Sequence, residues 1–149
     1  MREITKRLTR SPEETHQLGL TLARTLNRGD CVALRGDLGS GKTCLTQGLC
    51  EGLSVKEYVT SPTFVLINEY AGAAPDGGVL PVYHFDLYRL GDPDELYELG
   101  CDDFFYGKGI CIVEWANLGG DLILKEAIEV DLTHEGDRLR QVIITGRAL

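Results

Sequence analysis

Three glycines, Gly36, Gly39 and Gly41, stand between an apolar run and a helix-forming stretch, and they leave this chain few folds to choose from. Glycine lets a backbone take left-handed turns and approach another group with no Cβ in the way. The surrounding octapeptide, Gly36-Asp-Leu-Gly-Ser-Gly-Lys-Thr43, matches the pattern G-x-x-x-x-G-K-[ST] at every fixed position. Such a loop points successive N–H groups inward as a concave anion nest, and the helix that follows adds its own unpaired N–H groups and positive dipole end. The context is the required one. Asp30 to Arg35 is a short, partly β-branched run of strand type, and Cys44, Leu45, Leu49 and Leu53 fall at helical spacing. Strand, loop and helix in that order predict a phosphate-binding loop and a nucleotide ligand. The candidate phosphate contacts are Asp37, Leu38, Gly39, Ser40 and Gly41, with Lys42, Thr43 and Cys44 opening the helix. Lys42 has the reach for the β- and γ-phosphates, and the Thr43 hydroxyl is a ligand for Mg²⁺.

The rest of the chain reads as further α/β elements. Ile4 to Thr9 is a first strand. Ser11, Pro12 and Glu14 announce a helix as N-cap, first helical residue and capping-box acid, and Leu18, Leu22, Ala23 and Leu26 form its apolar stripe. Phe64 to Tyr70 and Val79 to Asp86 read as two strands joined through the small, Gly-rich stretch Ala71 to Gly78, a hairpin. Asp92 opens a short helix that Gly100 stops. Gly109 to Glu114 is a near-continuous apolar run, which suits a strand of a parallel sheet covered on both faces. Ala127 to Thr133 and Arg138 to Thr145 make a second hairpin around His134 to Asp137. The expected fold is a P-loop NTPase-like three-layer α/β sandwich in one domain over residues 1–149, with a partly parallel central sheet and two β-hairpins.

Composition excludes several classes. At 149 residues with 43% hydrophobic content, the chain is long enough for one sizeable core. No apolar run is long enough to span a membrane, and the first ten residues lack a signal-peptide core, so a cytoplasmic location is the expectation. The five cysteines are odd in number with no C-x-x-C pair, which suggests neither a disulfide framework nor a zinc site; Cys31 and Cys111 read as small buried hydrophobes. A net charge of −8 argues against holding nucleic acid alone through phosphate contacts. The local basic cluster Arg2, Lys6, Arg7 and Arg10 reads as a solvated strand face.

Nucleotide chemistry with Mg²⁺ needs a second carboxylate opposite the loop, usually at the C-terminal end of a neighbouring strand. Glu114 and Asp86 both end strands in that way, and either suits holding the metal or orienting the attacking water. Thr63, in Ser61-Pro62-Thr63-Phe64, has the look of a switch threonine that senses the γ-phosphate. His84 reads as a core or cross-strand histidine rather than a base. Trp115, the sole tryptophan, follows Glu114 and offers an optical probe.

GDLGSGKT, SPTF with NEY, YHFDLYRL, ELYELG and IVEW follow one another in this order. That ordered set resembles the bacterial TsaE (YjeE) family over about Ser11 to Trp115. The resemblance implies a small ATPase, weak alone, that joins TsaD- and TsaB-like proteins to form N6-threonylcarbamoyladenosine at position 37 of tRNA. It further implies that ATP hydrolysis resets that complex, with tRNA touched only indirectly. ATP and Mg²⁺ are the implied cofactors. Residue by residue, Lys42 and Thr43 become the loop lysine and metal threonine, Glu114 the second metal-side acid and Asp86 an essential acid beside it. Trp115 lies by the nucleotide, the start of the first helix around Ser11 to Thr15 (Ser11 and Pro12 among them) flanks the adenine, and a tail arginine, Arg138 or Arg140, comes near the nucleotide. Outside that resemblance stand a small-molecule P-loop kinase, which would want an arginine-bearing lid, and a nucleotide-gated binding module. A guanine-reading N-K-x-D sequence is absent.

Overall fold

A computed structural model describes residues 2–37, 39–60, 67–123 and 126–149. Its seven-stranded sheet has the order β1-β7-β6-β2-β5-β4-β3. In chain order the elements are β1 (Ile4–Thr9), α1 (Pro12–Ala23), β2 (Cys31–Arg35), α2 (Lys42–Gly52), β3 (Ile67–Ala73), β4 (Val79–Asp86), α3 (Pro93–Glu98), α4 (Cys101–Phe105), β5 (Ile110–Glu114), a 3₁₀ segment (Ala116–Leu122), β6 (Ile128–His134) and β7 (Arg140–Thr145). The central strands β6, β2, β5 and β4 run parallel, and the pairs β3–β4, β6–β7 and β1–β7 are antiparallel. The partly parallel sheet and both hairpins are therefore present.

Two apolar layers cover this sheet. Leu18, Leu22, Leu45 and Leu49 of α1 and α2 pack with Val32, Leu34, Ile110, Ile112 and Val130 on one face. Leu96, Cys101 and Phe105 of α3 and α4 pack with Phe85, Cys111 and Val113 on the other. Every residue of β5 is buried, as its unbroken apolar run demands of a strand with helices on both sides. Cys31 and Cys111 lie in this core with thiols shifted upward by burial, Cys31 to about 12, which agrees with their reading as inert hydrophobes. Arg2, Lys6, Arg7 and Arg10 are exposed along the β1 edge.

Three local details differ from expectation. Ser11 Oγ accepts the Glu14 N–H at 3.1 Å as an N-cap should, but Glu14 reaches back to the Arg10 N–H rather than that of Ser11. The chain enters the helix in a β conformation at Ser11, which brings the preceding amide within the carboxylate's reach. Ala71 to Ala73 stay in the β3 ladder, so the turn is confined to Ala74–Gly78. Gly100 ends α3 in a left-handed conformation but immediately opens α4, whose Cys101 and Phe105 bury into the lower core. The expected strand start at residues 64–66 lies outside the described residues.

Candidate active site

Strand register brings the two acids together. Asp86 on β4 pairs directly with Glu114 on parallel β5, at the C-terminal ends of neighbouring strands. Between β2 and α2 the chain forms the glycine loop. Gly36, Gly39 and Gly41 all have positive φ, and a Cβ on Gly36 would meet the Ser40 side chain at 2.6 Å and the Leu132 carbonyl at 2.7 Å. These glycines are there for conformation and for space. Gly41 caps α2 without any side-chain hydrogen bond, so the first turn of α2 presents backbone N–H groups toward the loop.

A cleft of about 400 Å³ opens over this junction, lined by Gly39, Gly41, Lys42, Thr43 and Cys44 with Asp86, Tyr88, Glu114 and Trp115. Lys42 is buried, and its Nζ donates to the Gly36 carbonyl at 2.5 Å, the Asp37 carbonyl at 2.9 Å and Ser40 Oγ at 3.4 Å. The same ammonium sits 4.1 Å from the centre of the Trp115 ring. Burial holds the Lys42 ammonium below the ordinary lysine range, against the opposing pull of Glu114, Asp37 and Asp86. Thr43 Oγ1 donates to Glu114 Oε1 at 3.3 Å, and Glu114 is almost fully buried. Burial raises the Asp86 carboxyl above the usual carboxylate range; the Tyr88 N–H and the nearby His84 and Lys42 oppose this, and Glu114 adds to it.

Trp115 takes a left-handed backbone conformation (φ 57°) that bulky residues rarely adopt. It packs on Tyr88 with ring centres 5.0 Å apart. Backbone strain of this kind costs about 1–3 kcal/mol and concentrates at functional sites, and here it turns the indole over the loop lysine.

A second cleft, about 480 Å³, shares Gly39, Gly41 and Cys44 with the first and continues toward the N-cap Ser11 with Pro12, Glu13 and Thr15 of α1 and toward Asp137, Arg138 and Arg140 of the tail hairpin. Every expected site residue on α1, α2, β4 and β5 thus lines one continuous groove. Both tail arginines reach it, and Arg140 also bonds the Gly39 carbonyl at 3.2 Å. Asp37 differs: its carbonyl accepts from Lys42, while its side chain is exposed and borders another cleft beside Asp131 and His134. Ser40 lies buried beneath the loop with its Oγ turned to Lys42. Leu38 and Thr63 lie outside the described residues.

Two residues that the sequence reading did not assign to the site belong to it. Tyr88 carries the Trp115 ring, and the aromatic after Asp86 in Phe85-Asp-Leu-Tyr88 was the available signal. His84 is fully buried with Nε2 at 2.5 Å from Glu114 Oε2. It is a cross-strand histidine as expected, but its partner is a site acid two residues along the adjacent strand, and only register could show that.

A strand-loop-helix nest with acids at the ends of two adjacent parallel strands defines a P-loop NTPase-like protein. The family model described as "Threonylcarbamoyl adenosine biosynthesis protein TsaE" matches residues 9–142. The chain belongs to the TsaE family of tRNA threonylcarbamoyladenosine biosynthesis proteins. It is 42% identical to the protein of that name from Bacillus subtilis over 92% of this chain and 82% of the relative. For the Treponema pallidum protein the identity is 33%, covering 92% and 97%. The crystal structure of Bacillus subtilis YdiB superimposes with a TM-score of 0.80 at 36% identity, covering 99% of this chain and 88% of that one. Among the described residues, no helix is long and apolar enough to cross a membrane.

Proposed function

We propose that this single-domain chain is a Mg²⁺-dependent ATPase that acts in forming N6-threonylcarbamoyladenosine at position 37 of tRNA, by binding and hydrolysing ATP to reset a complex of TsaD- and TsaB-like proteins in the cytoplasm. One observation carries this reading: Lys42, Thr43, Asp86, Glu114 and Trp115 converge on one cleft over the glycine nest.

Each residue then has a task. Lys42 exchanges the Gly36 and Asp37 carbonyls for β- and γ-phosphate oxygens, and the loop N–H groups with the α2 N-terminus hold the remaining phosphate charge. The donor set fits Mg²⁺. A hydroxyl and a carboxylate are hard oxygen ligands, and Mg²⁺ generally takes only one or two protein ligands, completing its shell with water and phosphate. Thr43 and Glu114 would hold the ion; it would neutralise charge on the transferring phosphoryl group. Asp86, less buried and beside Glu114, would accept a hydrogen bond from the attacking water, and burial makes it a stronger base than an ordinary aspartate. Ser11 and Pro12 on one wall and Arg138 and Arg140 on the other enclose the base and ribose. With a net charge of −8 the chain leaves tRNA to its partners.

The test is phosphate release from ATP with Mg²⁺, by the purified chain alone and with purified TsaD- and TsaB-like proteins. Weak turnover that rises with the partners is expected. Rapid phosphoryl transfer to a small acceptor, indifferent to them, would instead make it a kinase. A Glu114→Gln variant that keeps partner binding but loses turnover would show nucleotide occupancy, rather than hydrolysis, controlling docking.

A further inference from the structure

His84 is polar where the fold calls for an apolar side chain. It lies on the α1–α2 face of the sheet, in line with Leu80 and Val82 of its own strand and paired in register with Ile112. Its side chain is fully buried. Burying an imidazole among such neighbours costs free energy that a leucine or phenylalanine would not incur. Its hydrogen bond is the compensation: Nε2 lies 2.5 Å from Glu114 Oε2, while Nδ1 has no hydrogen-bond partner among the described residues. The carboxylate accepts, so Nε2 is the donor. Glu114 is thereby held at both oxygens, Oε2 by His84 and Oε1 by Thr43 Oγ1 at 3.3 Å.

We propose that His84 is a positioning residue: its Nε2–H fixes the rotamer of Glu114 so that Oε1 stays turned toward Thr43 and the metal side of the bound nucleotide. This rests on the nucleotide-binding reading above. A carboxylate with three free torsions loses affinity for a cation each time it leaves the productive rotamer, and groups that hydrogen-bond a metal-side ligand typically contribute about 10- to 100-fold to metal affinity.

Two substitutions of the same chemistry separate positioning from packing. In His84→Gln the amide nitrogen takes the place of Nε2; in His84→Asn it takes the place of Nδ1 and falls short of Glu114. Both bury a primary amide, so a purely structural role moves both alike. The measurement is ADP affinity of the full chain by Trp115 fluorescence, titrated with Mg²⁺ and repeated in EDTA. His84→Gln is expected to keep Mg²⁺ dependence close to wild type. His84→Asn should need about tenfold more Mg²⁺ while its affinity in EDTA is unchanged. In a Glu114→Gln background, His84→Asn should add nothing.

The proposal is overturned if both variants match wild type, if both lose affinity equally with and without Mg²⁺, or if the Asn effect persists in the Glu114→Gln background. Failure of either variant to fold means packing is decisive and overturns it too. A wild-type chain that binds no ADP refutes the nucleotide reading itself. A wild type that binds while the two variants behave alike refutes only the role of His84.

Discussion

Gly48→Ala tests whether the crossing of α1 and α2 sets the width of the groove. The two helices touch backbone to backbone at Gly19 and Gly48. A Cβ on Gly48 would stand 2.1 Å from the His16 carbonyl oxygen and 3.1 Å from the Gly19 Cα. Both obstacles are main-chain atoms, so no rotamer change relieves them, and α1 must back away by about 1 Å. In an exposed helix the same substitution would stabilise by about 1 kcal/mol through propensity. Overpacking a close contact costs about 1–3 kcal/mol, and a backbone clash belongs at the upper end. The expected net is a loss of about 1–2 kcal/mol, which for a chain of this size lowers Tm by roughly 2–8 °C. Function should follow, because α1 carries Ser11 to Thr15 against the loop. A Cβ on Gly41 would already meet Thr15 Cγ2 at 3.4 Å, and Thr15 Oγ1 is tied to Thr9 Oγ1 at 2.7 Å. Differential scanning calorimetry gives the first quantity and Trp115 fluorescence with ADP the second. A Gly48→Ala chain that melts higher than wild type would mean that propensity outweighs the backbone contact.

Lys42→Ala removes the buried cation facing the phosphates and should weaken ATP by about 3 kcal/mol, two decades in Kd, measured by calorimetric titration; affinity like wild type would mean the loop is misassigned. Asp86→Asn should keep nucleotide affinity and lose hydrolysis, while raising stability at neutral pH. The sign follows from burial: a carboxyl held above its ordinary range binds more protons folded than unfolded, so the native state loses stability as pH rises from the ordinary aspartate range through that raised pKa. The variant escapes this loss, and its Asn oxygen still accepts the Tyr88 N–H, so its advantage should shrink in acid; denaturant melts at pH 7 and pH 4 check this, and a variant less stable than wild type at pH 7 contradicts it.

The groove was legible where function depends on local backbone chemistry. Gly36, Gly39 and Gly41 declared the nest because no other residue takes those dihedrals cheaply. Ser11 and Pro12 declared the start of α1, since a cap is a contact between near neighbours. The apolar run from Ile110 to Val113 declared a strand buried on both faces and put Glu114 at its end. The small helix α4 left no such mark, because Cys101 to Phe105 is too short for periodicity and is helical through its burial against Phe85.

Other features exist only as distances between segments far apart in the chain. Register alone put Asp86 beside Glu114 and let His84 reach that acid across 30 positions. A one-residue slip would have sent His84 and Asp86 to the opposite face. The tail hairpin brought Arg140 to Gly39 across 101 positions, and helix crossing decided that Gly19 and Gly48 must be small. Local chemistry determined which segments could be strand, loop or helix. Tertiary packing decided which side chains meet, because cross-strand and cross-helix contacts depend on register and crossing, which the whole core sets at once.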